Sequence, residues 1–88
     1  MNPTVSVNVL FFAKAREIVG KSKTNVDLPS SPITGKELVS LLETAFQDLK
    51  CLNRGYVLAV NEEYVEDGST VTLTARDELA VIPPLSGG

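Results

Sequence analysis

One stretch of this 88-residue chain can form a long helix, and the rest must be arranged around it. Between Ile33 and Leu49, the residues Leu38, Leu41, Leu42, Ala45, Phe46 and Leu49 recur at the three- and four-residue spacing of one buried stripe. Thr34 and Glu37 stand in capping-box relation at its start, and Ser30-Ser31-Pro32 keeps the chain extended just upstream. The spacing predicts a helix of about 16 residues, roughly 24 Å long. A lone amphipathic helix cannot cover its own stripe, so the flanking segments must supply an opposing layer.

Those segments read as strands. In "TVSVNVLFF", Val5, Val7, Val9 and Phe11 share one face and Ser6 and Asn8 the other, while Leu10 and Phe12 make the far end apolar on both sides. "AKAREIVG" predicts a short helical turn that Gly20 can stop in the left-handed region. "KSKTNVDLP" alternates through Thr24, Val26 and Leu28, and pairs with the first strand as a hairpin. Later, "YVLAV", Val71 to Leu73 and Leu79 to Ile82 are apolar runs separated by turn signals at Asn61 and Asp67-Gly68. Asp67 to Ser69 and Ala75 to Glu78 read as turns rather than metal loops. The acidic "NEEYVED" reads as a solvated hairpin, with a docking surface for a basic partner as its alternative. The order strand, strand, long helix, several short strands fits an α+β fold. Its mixed sheet wraps one main helix, with the first and last strands adjacent and parallel, which is the β-grasp arrangement. Residues 1–82 form that domain and 83–88 an extended C-terminal tail.

Composition narrows the chemistry. The chain is 43% hydrophobic, enough for one small core. Histidine is absent and Cys51 is the only cysteine, which removes the commonest general base, any internal disulfide and any multi-cysteine metal site. Cys51, just past the helix, is expected to be a half-buried structural thiol rather than a nucleophile. Net charge is −3 and the eight Lys and Arg are scattered, a poor match to the concentrated basic face that nucleic acid requires. No apolar run nears the roughly 20 residues that cross a bilayer. The N-terminus lacks the marks of a signal peptide. A soluble protein in the compartment of its synthesis, the cytosol, is the expectation.

The tail "PPLSGG", from Pro83 to Gly88, remains. Six extended residues reach roughly 20 Å. Pro83 and Pro84 bias the path toward a polyproline-type stem, and Ser86, Gly87 and Gly88 make a thin tip that could enter a narrow channel. A frayed terminus is the plain alternative. If Gly88 ends in a free carboxylate, that anion resists nucleophiles until it is activated, for instance as an acyl-adenylate formed from ATP. A sulfur nucleophile would then give a thiocarboxylate, and an amine or thiol would join the protein to a partner.

"VLFFAKAREIVG" (Val9 to Gly20) and "DELAVIPPLSGG" (Asp77 to Gly88) together resemble the sulfur-carrier, small-subunit family of molybdopterin synthase. The resemblance implies a ubiquitin-like β-grasp and a non-catalytic sulfur donor with no permanently bound cofactor or metal. An ATP-dependent activating enzyme with an associated sulfurtransferase would adenylate Gly88 and convert it to a thiocarboxylate. The tail would then deliver sulfur to cyclic pyranopterin monophosphate inside a large catalytic subunit, two transfers building the molybdopterin dithiolene. The assembly implied is a heterotetramer of two small and two large subunits.

By position, Gly87 and Gly88 match the family's functional terminus. Phe12 and Ile82 match apolar partner contacts, and Pro83, Pro84, Leu85 and Ser86 belong to the inserted tail. Arg16 matches a charged position nearby, although on residue chemistry alone it could equally bridge a surface carboxylate. Arg76 stands where many relatives carry glycine before Asp-Glu, which leaves the local turn geometry open. Two other carrier destinations, thiamine synthesis and transfer-RNA thiolation, stay open, as do a ubiquitin-like modifier and a plain interaction module.

Overall fold

The computed structural model describes residues 3–84. β1 (Thr4–Phe11) alternates as its sequence dictates: Val7, Val9 and Phe11 are buried, while Thr4, Ser6 and Asn8 are exposed. Phe12 then stays extended and Ala13 turns at φ 49°, starting α1 (Ala13–Val19), which Gly20 stops at φ 83° with its N–H on the Arg16 carbonyl. β2 (Lys23–Pro29) returns antiparallel, pairing Val26 with Val7 and Leu28 with Val5. β3 (Ile33–Thr34) leads into α2 (Gly35–Ala45). β4 (Val57–Val60) and β5 (Glu63–Val65) form a hairpin, followed by β6 (Thr70–Val71) and β7 (Glu78–Ile82).

The main sheet runs β2-β1-β7-β4-β5, with β7 central, parallel to β1 and antiparallel to β4. β3 and β6 make a separate two-stranded sheet. This is the mixed β-grasp that the element order predicts. Its core joins Leu38 and Leu42 of α2 to Val7, Val9, Phe11, Leu58, Leu79 and Val81 of the sheet. The "NEEYVED" hairpin also forms: Asn61 and Glu62, at φ 50° and 72°, make the two-residue turn that a twisted hairpin favours. Arg76 is not among the described residues with positive φ, so the turn before β7 closes without glycine.

The helix differs from its prediction. α2 has 11 residues rather than about 16: Ile33 belongs to β3, and the helix ends where Phe46 takes φ −128° and ψ 82°. Phe46 thereby meets Phe11 edge-on, with ring centroids 5.0 Å apart. A 3-10 stretch, Gln47–Leu52, follows and carries Leu49 into the core. The buried face of α2 centres on Gly35, Leu38, Val39 and Leu42, which leaves Leu41 half-buried and Ala45 exposed. Cys51 is exposed, not half-buried, because the three-residue repeat of the 3-10 stretch turns Leu49 and Leu52 to the core and leaves Cys51 off that face.

The capping box is present in full. The Thr34 N–H donates to Glu37 Oε1 at 2.8 Å, and the Glu37 N–H donates to Thr34 Oγ1 at 3.1 Å. The Thr34 backbone N–H, and next its hydroxyl, hold the Glu37 carboxyl below its ordinary range. A carboxyl lowered on folding stabilises at neutral pH, and that contribution is lost as pH falls through its folded-state value. Glu37→Gln is therefore expected to melt slightly below the parent protein at pH 7, with the gap closing on acidification. A gap independent of pH in thermal melts would contradict the assignment.

Candidate functional site

The face of the sheet turned away from α2 is the region to build, because strand alternation dictates what it shows. On β1, the residues opposite the buried Val7, Val9 and Phe11 are Ser6, Asn8 and Leu10. Register carries Leu10 to Ala80 of β7, Ala80 to Ala59 of β4, and Ala59 to Tyr64 of β5. These four residues form one apolar row across four strands. A second row follows one step along: Ile82 pairs with Val57, and the Phe12 N–H donates to the Val81 carbonyl at 3.2 Å, which sets Phe12 beside Ile82. The next row in the other direction, Asn8 with Glu78, is polar.

Three members of these rows are the exposed large apolar side chains among the described residues: Phe12 at 45%, Val57 at 50% and Tyr64 at 74%. Aromatic and aliphatic groups clustered on an open face mark a docking surface, where their removal from water supplies the driving force. The central strand β7 delivers the chain into this patch. Ile82, Pro83 and Pro84 line an open groove of about 500 Å³ together with Val57, Tyr64 and Arg54. Pro83 is buried and Pro84 exposed, so the chain reaches the domain surface at Pro84.

Side-chain bonds fix the walls of this groove. Arg54, held at φ 63°, donates from Nη2 to Asp67 Oδ1 at 2.8 Å, and its guanidinium lies 5.2 Å from the centroid of the Tyr56 ring. The Tyr56 hydroxyl donates to Glu43 Oε2 at 2.7 Å; burial, and then Glu43, push the phenol up, so it remains a donor at neutral pH. At the opposite end of β7, Asn61 Nδ2 donates to Asp77 Oδ1 at 2.9 Å and Asn61 Oδ1 accepts from the Glu78 N–H at 3.0 Å. Asp77 Oδ2 accepts from the Thr74 N–H at 2.8 Å. Asn61, followed by the Thr74 N–H, holds the Asp77 carboxyl below its ordinary range.

Of the residues singled out by sequence, Phe12, Ile82, Pro83 and Pro84 gather on or beside the patch. Arg16 sits one helical turn beyond Phe12 and forms no ion pair among the described residues. Leu85, Ser86, Gly87 and Gly88 lie outside the described residues. Leu10, expected to make the strand end apolar on both sides, takes its place on this face. Sequence reasoning missed Tyr64 and Val57. Val57 sits in a strand already recognised, and only register shows that it faces outward beside Ile82. Tyr64 sits within an acidic run whose polarity masks it. No group of His, Cys, Asp and Glu able to hold a metal ion occurs among the described residues, and none of their helices is long and apolar enough to cross a membrane.

Residues 9–88 match the ThiS family. The molybdopterin synthase sulfur carrier subunit of Drosophila ananassae is 48% identical over 98% of this chain and 94% of its own length. Among solved structures, SAMP1 from Haloferax volcanii superposes with a TM-score of 0.74 at 26% identity, covering 94% of this chain and 99% of that one. A chain from the complex of subunits 1 and 2 of the molybdopterin-converting factor of Helicobacter pylori shares the fold, with a TM-score of 0.64 at 22% identity over 94% of this chain and 99% of that one. By this breadth of match, the chain belongs to the ThiS family, in the branch of the molybdopterin synthase sulfur carrier subunits.

Proposed function

We propose that this protein is the sulfur carrier subunit of a molybdopterin synthase and that the carboxyl group of Gly88 carries the sulfur. The observation that carries this reading is the near-full-length identity of 48% to a named carrier subunit. The apolar rows around the exit of β7 support it, since they give a partner a face to hold while the stem leads onward. The carboxylate must be activated, because an anion at the end of a chain resists attack. In this reading it attacks the α-phosphorus of ATP on an activating enzyme, expelling pyrophosphate and leaving an acyl-adenylate. The persulfide of a sulfurtransferase then displaces AMP to give an acyl disulfide, and a second thiol cleaves its S–S bond, releasing the Gly88 thiocarboxylate and leaving a disulfide on the sulfurtransferase. Adenylate and thiocarboxylate are passing states of Gly88 and not resident cofactors.

The partner is the large subunit of the synthase. It receives the tail, supplies the acid–base groups for the transfer, which suits a partner chain without histidine, and accepts the sulfur onto cyclic pyranopterin monophosphate. Two rounds build the dithiolene, in a heterotetramer of two carriers and two large subunits in the cytosol. Phe12 and Ile82 join the docking contact, Arg16 flanks it, and Pro83 to Ser86 form the inserted stem. The deciding measurement is intact mass after incubation with activating enzyme, sulfurtransferase, sulfur source and ATP. The expected change is one oxygen-for-sulfur exchange located at Gly88. An unchanged mass with every other component shown active would sink the proposal.

A further inference from the structure

The two tyrosines of this chain occupy opposite environments. Tyr56 is 4% exposed with its hydroxyl committed to Glu43, whereas Tyr64 is 74% exposed. Tyr64 lies on β5, the edge strand of the five-stranded sheet, so one side of its backbone faces no neighbouring strand of that sheet. Glu62 and Glu63 precede it, and Glu66 and Asp67 follow. An accessible phenol on an extended edge, flanked by carboxylates, matches what a tyrosine kinase with a basic substrate groove recognises: backbone pairing along an extended peptide and cations to receive the flanking acids.

We infer that Tyr64 is a phosphorylation site and that its modification switches off the apolar face as a docking surface. The phenolic oxygen attacks the γ-phosphorus of ATP on the kinase. A new P–O bond forms, the bond to the bridging oxygen breaks with its electrons leaving on ADP, and the phenol's proton passes to a base of the kinase. The product places a charge of roughly −2 at the end of the row Leu10, Ala80, Ala59, Tyr64, beside Glu62, Glu63 and Glu66. A partner shaped for an apolar row then has to desolvate a phosphate, and repulsion from the neighbouring acids adds to the cost. The switch extends the carrier reading and rests on it; the modification itself does not.

The test uses the full-length chain, ATP and a recombinant tyrosine kinase domain that prefers acidic peptides. Fragment mass spectrometry is expected to find one phosphoryl group on Tyr64 and none on Tyr56, with incorporation lost in Tyr64→Phe. Absence of incorporation, or incorporation that survives in Tyr64→Phe, overturns the site. The unmodified chain is first titrated against the synthase large subunit, so that failure of the carrier reading shows as no binding before any kinase is used. With a large subunit that the unmodified chain binds, the phosphorylated form is expected to bind at least about tenfold more weakly. Equal binding by the two forms overturns the switch.

Discussion

A chain lacking Gly88 is expected to fold and dock as before and to transfer no sulfur above background, a loss of about a thousandfold or more. Folding, docking and chemistry fall on different parts of the C-terminal segment. β7 ends at Ile82, and the core residues Leu79 and Val81 are held by pairing to both β1 and β4. Deleting a residue six positions past Ile82 disturbs none of this, so the melting temperature should stay where it was. The apolar rows end at Ile82 and Phe12, so if they hold the large subunit its affinity should change little. Only the reach of the carboxylate changes, by about 3.5 Å. Misplacing a reacting group by even 1 Å can cost about a hundredfold. Sulfur-transfer assays on the purified deletion variant check this directly. Retained transfer would mean that the terminal carboxyl is not the working group.

Gly35→Ala is expected to destabilise the fold by about 3 kcal/mol, which for a domain of this size lowers the melting temperature by roughly 12–24 °C. Helix propensity alone predicts the opposite sign, since alanine is favoured over glycine within a helix by about 1 kcal/mol. Gly35 is the first residue of α2, however, and a Cβ there would run into the backbone carbonyl of Glu66 and crowd Val65. That carbonyl belongs to the loop whose neighbours cap the helix: the Gly35 N–H donates to Ser69 at 2.8 Å and the Lys36 N–H to Asp67 at 3.0 Å. The loop cannot retreat without uncapping the helix, so the overlap has no inexpensive relief. Thermal and urea unfolding of the variant measure the effect. A neutral or stabilising result would show that the loop yields.

The sequence carried the strands and the helix start because each rests on a local rule. Val5 to Phe11 alternate, and Thr34 with Glu37 satisfy each other's backbone groups whatever surrounds them. The parallel pairing of β1 with β7 was also anticipated, because setting the first and last strands side by side lets early and late strands share one sheet over the helix. Phe46 was not legible. Its place in the apolar stripe suits a continuing helix and a broken one equally, and the choice was made by the Phe11 ring across the core. Cys51 moved with it, from half-buried to exposed. Tyr64 needed register, since its neighbours are acids and only the pairing with Ala59 reveals which face it shares with Ile82. The burial of Pro83 was not legible, because it depends on the packing at the end of β7.

The central position of β7 has a mechanical consequence. A force applied to the chain beyond Ile82 acts along the axis of β7, the strand that bears it. β7 is bonded on one side to β1 and on the other to β4, so a pull along its length loads both ladders in shear. Bonds loaded in parallel share the force, whereas a strand peeled from an edge would surrender them singly. A domain pulled from the end of β7 is thus held by two ladders at once and resists unravelling.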